Sequence, residues 1–268
     1  MILSFHPVFE GDKNIICAGR EPDENDLKAI RAADAVVLSQ GCGQALHLMV
    51  RENCQHVFPN YDTRFGYPGK IGQTRLFEKT DTPHPMTETY SGIHDFHKTS
   101  LSYPFVFKFD WGGEGKNVFL ICSDEEFGAM LERAVSFEKT GQRGFLLQEH
   151  IPNQNRDLRV VVVGGHIRAY WRVRQDSGNF RSNLSQGAVT DTETDPELRE
   201  KGIRLVKDFC MKTKISLAGL DLLFSPDSDT PFFLEINYFF GRRGLGGSEK
   251  FYELLNTEIR KWVLTLHS

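Results

Sequence analysis

Short apolar runs alternate with helical spacing over the first sixty residues of the chain. Residues 1–5, 14–17, 35–38 and 55–58 read as strands, the last ended by Pro59. Between them, the acidic run from Asp23 to Asp26 opens a helix that continues through Leu27, Ile30 and Arg31, and residues 43–52 form a second helical stretch. Strands that alternate with helices predict a small parallel α/β unit. Residues 60–70 are rich in turn formers (Asn60, Asp62, Gly66, Pro68, Gly69), which places a domain boundary there: 1–67 against 68–268.

Beyond the boundary the pattern changes. Strands are predicted at 103–109 and 117–121 around a glycine-rich connection, and at 144–148, 159–163, 167–173, 218–224 and 231–237. A helix over 124–139 starts at Ser123 and Asp124. Another over 195–212 takes Asp195 as its cap and Pro196 in its first turn. A closing helix over 249–265 puts Phe251, Leu254, Leu255, Ile259 and Trp262 on one face. Hairpins mixed with helices indicate an α+β domain, split into a smaller part (68–148) and a larger one (149–268).

The chain has 268 residues, 40% of them apolar, and its 21 Phe exclude a largely disordered state. No run approaches the roughly 20 apolar residues of a membrane-spanning helix, and residues 1–6 carry no basic and apolar export pattern. Five cysteines, odd in number and never at CxxC spacing, read as reduced thiols of a cytoplasmic protein. A net charge of −4 argues against nucleic-acid binding by charge alone.

Three stretches carry candidate chemistry. Between Asp221 and Glu235 lies a turn-rich run with Ser228 at its midpoint, so the two carboxylates would face each other across a hairpin, with Asn237 on the same face. Such a group repels itself and loses hydration unless a cation joins it, and a hard divalent ion is the simplest one; a solvated sheet face is the alternative. Lys108 is a lone cation in an apolar strand that leads into Gly112, Gly113 and Gly115. Glycine backbone can approach phosphate closely, and a plain hairpin is the alternative. Arg159, Arg168, Arg172, Arg174 and Arg181 form a basic row suited to clamping anions, or to facing water. His94 and His97 lack a third metal ligand, Cys42 lacks an activating base, and Tyr238, Phe239 and Phe240 read as core or pocket wall.

In their order, several of these segments resemble the ATP-grasp superfamily, in particular its RimK-like carboxylate–amine ligases, over roughly residues 68–260. The most specific stretch is Gly178-Asn179-Phe180-Arg181-Ser182-Asn183-Leu184, which is similar to the family's G-D-F-R-S-N-L. Gln148-Glu149-His150-Ile151, Asp157-Leu158-Arg159, Ala218-Gly219-Leu220-Asp221 and Leu234-Glu235-Ile236-Asn237 are also family-like. The resemblance implies an ATP-grasp fold of two α+β subdomains enclosing ATP, preceded by a small α/β domain. It implies that Lys70 and Lys108 hold phosphates under a glycine lid (Gly112, Gly113, Gly115), and that Gln148 and Glu149 to Ile151 meet adenine, with Asp157 near the ribose. Arg181 and Asn183 would lie by the phosphates, and Arg174 and Lys108 at the reacting centre. Asp221, Glu235 and Asn237 would bind two Mg²⁺ ions, with Mn²⁺ able to substitute.

The implied reaction joins a small-molecule or peptide carboxylate to an amine through an acyl phosphate, with no nucleic acid or membrane involved. A small-molecule kinase of the same fold, or a nucleotide-gated binding protein, are the alternatives. One departure bears on the substrate. Where the family often places a small residue, Ser, Pro and Gly after its E-x-N, this chain has Tyr238-Phe239-Phe240-Gly241-Arg242-Arg243. Those two arginines favour an anionic acceptor.

Overall fold

The computed structural model describes residues 1–17, 19–112, 117–174, 188–226 and 229–266. The predicted site residues Gly113, Gly115, Arg181 and Asn183 lie outside the described residues.

The N-terminal part is a four-stranded parallel sheet ordered β2-β1-β3-β4, from β1 (Ile2–Ser4), β2 (Lys13–Asn14), β3 (Ala35–Val37) and β4 (His56–Phe58). Helix α1 (Glu24–Arg31) begins where the acidic run predicts. Asp23 accepts from the amides of Asn25 (2.8 Å) and Asp26 (3.1 Å), and Asp26 returns a bond to the Asp23 amide. Helix α2 (Gln44–Asn53) follows β3.

The turn-rich stretch is not a bare linker. It contains α3 (Asp62–Gly66) and the entry of α4 (Gly69–Lys79), an element the sequence pattern did not predict. Turn chemistry there serves helix ends: Pro68 is the N-cap of α4, and Gly69 takes a left-handed φ of 70°.

A second, antiparallel sheet is ordered β5-β8-β6-β7, from β5 (Thr87–Tyr90), β6 (Phe105–Phe109), β7 (Val118–Ile121) and β8 (Phe145–Glu149). Period-two alternation in β6 divides its roles. Phe105, Phe107 and Phe109 pack into an aromatic core with Phe145 and with Phe127 and Ala134 of α5 (Asp124–Glu138). Val106 and Lys108 therefore emerge on the opposite face.

The third sheet, antiparallel and ordered β11-β10-β9-β12-β13, comprises β9 (Arg156–Val163), β10 (His166–Val173), β11 (Val189–Asp191), β12 (Leu217–Phe224) and β13 (Pro231–Asn237). It is covered on both sides, which explains the unbroken apolar runs in β9 and β12. Leu158, Val160, Leu220 and Leu222 pack against Val206 and Phe209 of α6 (Pro196–Thr213) and against Leu76 and Phe77 of α4. On the other face Val161, Val163 and Leu217 pack under Phe251, Leu255 and Ile259 of α7 (Ser248–Thr265), together with Phe9, Val37 and Phe58 from the N-terminal sheet.

Helix α6 opens where predicted, with Asp195 at its N-cap and Pro196 in its first turn, but the Asp195 side chain makes no cap bond and pairs with Arg156 (2.6 Å).

Candidate active site

Helix α4 holds the second and third sheets in register around a cleft. At its start, the Ile71 amide donates to Asp110 Oδ1 (2.8 Å) at the end of β6. One turn on, the Gln73 amide grips the exposed edge of β13: Nε2 donates to the Ile236 carbonyl (2.9 Å), and Oε1 accepts from the Ile236 N–H (2.8 Å). Lys70, in the same first turn, is thereby set between the sheets.

The cleft encloses about 1010 Å³ including its open mouth. The second sheet contributes Val106, Lys108, Val118, Leu146 and Gln148. The strand exit contributes Glu149, His150, Ile151 and Asn153, and the third sheet Asp157, Arg172, Asp221, Leu223, Leu234 and Glu235. Aliphatic side chains of both sheets, Val106, Val118 and Leu146 from one and Leu223 and Leu234 from the other, line the cleft together with its charged groups. Such a mixed lining suits a ligand with an aromatic ring and an ionic tail.

The hairpin arithmetic holds, with one addition. Asp221 pairs with Glu235, and Gly219 with Asn237, but the pairs nearest the turn (Phe224 with Pro231, Leu222 with Phe233) are centred half a residue earlier. Leu234 is the extra residue of a β-bulge. Consecutive Leu234 and Glu235 therefore both face the cleft, while Phe233 and Ile236 stay in the core. One extra residue supplies apolar wall without costing the carboxylate its position.

Asp221 is not an uncompensated carboxylate, because the protein supplies its own cations. Arg159 Nε donates to Oδ1 and Arg159 Nη2 to Oδ2 (3.0 Å), Arg172 Nη2 lies 3.0 Å from Oδ1, and Asn237 Nδ2 donates to Oδ2 (3.0 Å). Arg172 also donates through Nε to Asp157 Oδ1 (2.5 Å). Despite burial, the two guanidiniums hold the Asp221 carboxyl below its usual range. Of the described arginines of the basic row, Arg159 and Arg172 are buried ion partners, Arg168 is exposed, and Arg174 bonds Asn153 (2.9 Å) and Asn155 (3.2 Å). Arg159 lies opposite Asp221 across β9 and β12, and Arg172 opposite Asp157 across β10 and β9, pairings that need the register of β9, which only the fold supplies.

Glu235 differs from its neighbour. Burial, then the nearby Asp221, raises its carboxyl, while Lys70 and Lys108 pull it down. Lys108 donates to Gln148 Oε1 (2.6 Å), and burial lowers its ammonium to about 8. Lys70 donates to the Gly112 carbonyl (3.0 Å), and burial lowers it too, against Glu235 and Asp110. Two cations costly to bury and one carboxylate costly to ionise are set for a ligand that carries charge in.

Of the predicted site residues, Lys70, Lys108, Gln148, Glu149, His150, Ile151, Asp157, Asp221 and Glu235 line this one cleft. Asn237 meets it through Asp221, Gly112 offers its carbonyl to Lys70, and Arg174 sits beside it. Gly112 has a φ of 80°, and a Cβ there would lie 2.6 Å from Asn117 Nδ2, so the glycine is structurally required. Thr74, Asn153 and Asp110 are cleft or framework residues that no sequence motif marked. Cys42 is buried and its thiol is pushed up to about 11, as befits an inert position. Among the described residues no group of three or more His, Cys, Asp or Glu could hold a metal ion, and no helix is long and apolar enough to cross a membrane.

Residues 76–259 match the RimK-like ATP-grasp domain. The chain belongs to the RimK-like ATP-grasp family. The matched span holds Lys108, Asp157, Asp221, Glu235 and Asn237; Lys70 and the N-terminal sheet precede it. Among curated relatives, the chain is 32% identical over 147 residues to beta-citrylglutamate synthase B of Danio rerio (53% of this chain, 34% of that protein). It is 32% identical over 149 residues to a probable alpha-L-glutamate ligase of Maridesulfovibrio salexigens (55% and 45%). The chain thus spans less than half the length of either. A RimK domain ATP-grasp protein from Sphaerobacter thermophilus superposes with a TM-score of 0.65 at 14% identity, over 96% of this chain and 98% of that one. The ATP complex of D-alanine–D-alanine ligase from Bacillus anthracis gives 0.65 at 13% identity, over 95% and 86%. These likenesses establish the ATP-grasp fold.

Proposed function

We propose that the chain is an ATP-dependent carboxylate–amine ligase. The observation that carries this reading is the cleft between the second and third sheets, where aliphatic walls adjoin Lys70, Lys108 and Glu235. Adenine would lie between Val106, Leu146 and Leu223, against the backbone from Glu149 to Ile151, with Gln148 beside it and Asp157 toward the ribose. Lys70 and Lys108 would meet the phosphates, with Gly112, Gly113 and Gly115 as the proposed lid, and Arg181 and Asn183 belong to the same proposed set. The reading divides the chain into 1–67, 68–148 and 149–268, and five free thiols agree with a reducing, cytoplasmic setting.

The all-oxygen set of Asp221, Glu235 and the Asn237 amide fits a hard divalent ion such as Mg²⁺. It does so with the qualification the geometry imposes, that Asp221 must loosen one guanidinium to offer an oxygen. Bound there, the ion would neutralise charge on the transferred phosphoryl group.

A substrate carboxylate oxygen would attack the γ-phosphorus and break its bond to ADP. An amine nitrogen would then attack the acyl carbon, break its bond to phosphate and lose a proton. Lys108 and Arg174 would hold the charge that develops, since phosphoryl transfer depends on positioning and neutralisation. The names of the relatives direct the choice of substrates toward acidic amino acids and carboxylates. The test is ADP formation that requires both an acid and an amine, with a joined product seen by mass. Activity that survives in both Asp221→Asn and Glu235→Gln refutes the metal role, and a phosphorylated product without a joined one refutes ligation.

A further inference from the structure

The cleft lining contains one side chain that neither the sequence motifs nor the ligase reading gives a part. Asn153 lies there, after the strand exit of Glu149 to Ile151 and before Asp157 of β9. We infer that Asn153 recognises the sugar. Its amide donates to one hydroxyl of the ribose diol while Asp157 accepts from the other, so the site selects ribonucleotides over their deoxy forms. This inference rests on the nucleotide cleft of the ligase reading and adds a specificity residue to it.

Arg174 fixes the polarity of the amide. Its Nη2 lies 2.9 Å from Asn153 Oδ1. A guanidinium carries donors only, so the carboxamide oxygen must face it, and the NH2 group is turned away. Among the described residues Asn153 Nδ2 makes no hydrogen bond.

The two groups then differ in the way a diol requires. Nδ2 can only donate. The ionised Asp157 carboxylate can only accept, and its several lone pairs leave capacity beyond the bond from Arg172 Nε (2.5 Å). Each hydroxyl of a vicinal diol is donor and acceptor at once, so one can give its proton to Asp157 while the other takes the Asn153 bond. A phosphate is the wrong partner here, because the Asp157 charge repels it. The base is placed upstream, along the strand exit, and the phosphates at Lys70 and Lys108, which leaves the sugar for the lining between them.

The backbone holds Asn153 in place at a conformational cost. The Arg156 N–H donates to the Asn153 carbonyl (3.0 Å), closing a turn whose two central residues, Gln154 and Asn155, both take left-handed φ (50° and 59°). Residues with a side chain enter that region reluctantly and stay only where surrounding bonds hold them. Arg174 supplies those bonds: its N–H donates to the Asn155 carbonyl (2.9 Å), and its Nη2 also reaches Asn155 Oδ1 (3.2 Å). One arginine thus braces the strained turn and orients the amide that the turn carries into the cleft, which is how a polar contact gains specificity.

The test is calorimetric affinity of the full chain, with Mg²⁺, for a non-hydrolysable ATP analogue and for its 2′-deoxy and 3′-deoxy forms. Each deoxy form should bind the wild type about tenfold more weakly than the parent, because it leaves a polar group of the site without its partner. Asn153→Ala should abolish that penalty for one deoxy form and keep it for the other, whose missing hydroxyl belongs to Asp157. Asn155→Ala removes the second carboxamide bond to Arg174 outside the cleft lining, and it should change all three affinities alike. Unchanged penalties in Asn153→Ala overturn the inference, as does a wild type that binds all three nucleotides equally. The same loss of discrimination in Asn155→Ala also overturns it, since the turn and not the donor would then be responsible. No binding of the parent analogue defeats the ligase reading and this inference with it; binding of the parent without the predicted pattern defeats this inference alone.

Discussion

Lys108 gives the sharpest handle on the cleft. It sits in β6 among phenylalanines, donates to Gln148, and has its ammonium lowered from the usual 10.5 to about 8, first by burial and then by Lys70, against the pull of Glu235 and Asp221. At pH 8 about half of the free protein then carries a neutral Lys108, and at pH 7 about a tenth. A polyphosphate beside it favours the charged form, so nucleotide binding should take up about 0.5 proton at pH 8 and about 0.1 at pH 7. Affinity should fall as pH rises through 8, by up to about tenfold per unit. Titration calorimetry at pH 8 in two buffers of different ionisation enthalpy reads the uptake directly, and Lys108→Met should abolish it. Equal heats in both buffers for the wild type would refute the reasoning. The same shift has a stability sign: between pH 8 and 10.5 the unfolded chain holds more protons at this site than the folded one, so this lysine's contribution to stability rises with pH.

Other consequences follow from the charge network and the packing. Arg172→Met removes the guanidinium shared by Asp157 and Asp221; because Arg159 still compensates Asp221, the cost should stay below the roughly 3–5 kcal/mol of a buried charge left without any partner, yet be plainly destabilising; a melting temperature within a degree of wild type would contradict it. Gln73→Ala strips the Ile236 peptide of both partners and should loosen α4 from β13, weakening nucleotide binding as well as stability, as calorimetry would show. Gly244→Ala drives a methyl into the buried Tyr170 ring and should destabilise the fold by about 1–3 kcal/mol in chemical denaturation.

What could be read from sequence depended on the range of the interaction. Local signals were legible: the Asp23 cap, the strand positions of β6, β9, β12 and β13, and the opposition of Asp221 to Glu235. Helix α4 was not, because its Gly69, Gly72 and Thr74 weaken the helical pattern and its stability comes from docking on Asp110 and Ile236. Asp195 was legible as the cap position of α6, but the use of its side chain was not, because an arginine on β9 takes the carboxylate. The ion network of Arg159 and Arg172 was missed for the same reason. The hairpin of β9 and β10 meets there the sequence-distant β12, and a composition rich in arginine reads identically whether the charges face water, a ligand or one another.

The central claim is that nucleotide occupies the cleft between the second and third sheets. A crystal structure of the chain grown with Mg²⁺ and the non-hydrolysable ATP analogue tests it most directly. The account predicts the base between the walls of Val106, Leu146, Leu223 and Leu234, and phosphates within hydrogen-bond reach of Lys70 and Lys108, with Glu235 on the cation. Nucleotide bound elsewhere, or a cleft in which Lys108 still bonds only Gln148 while nucleotide is in place, would contradict it.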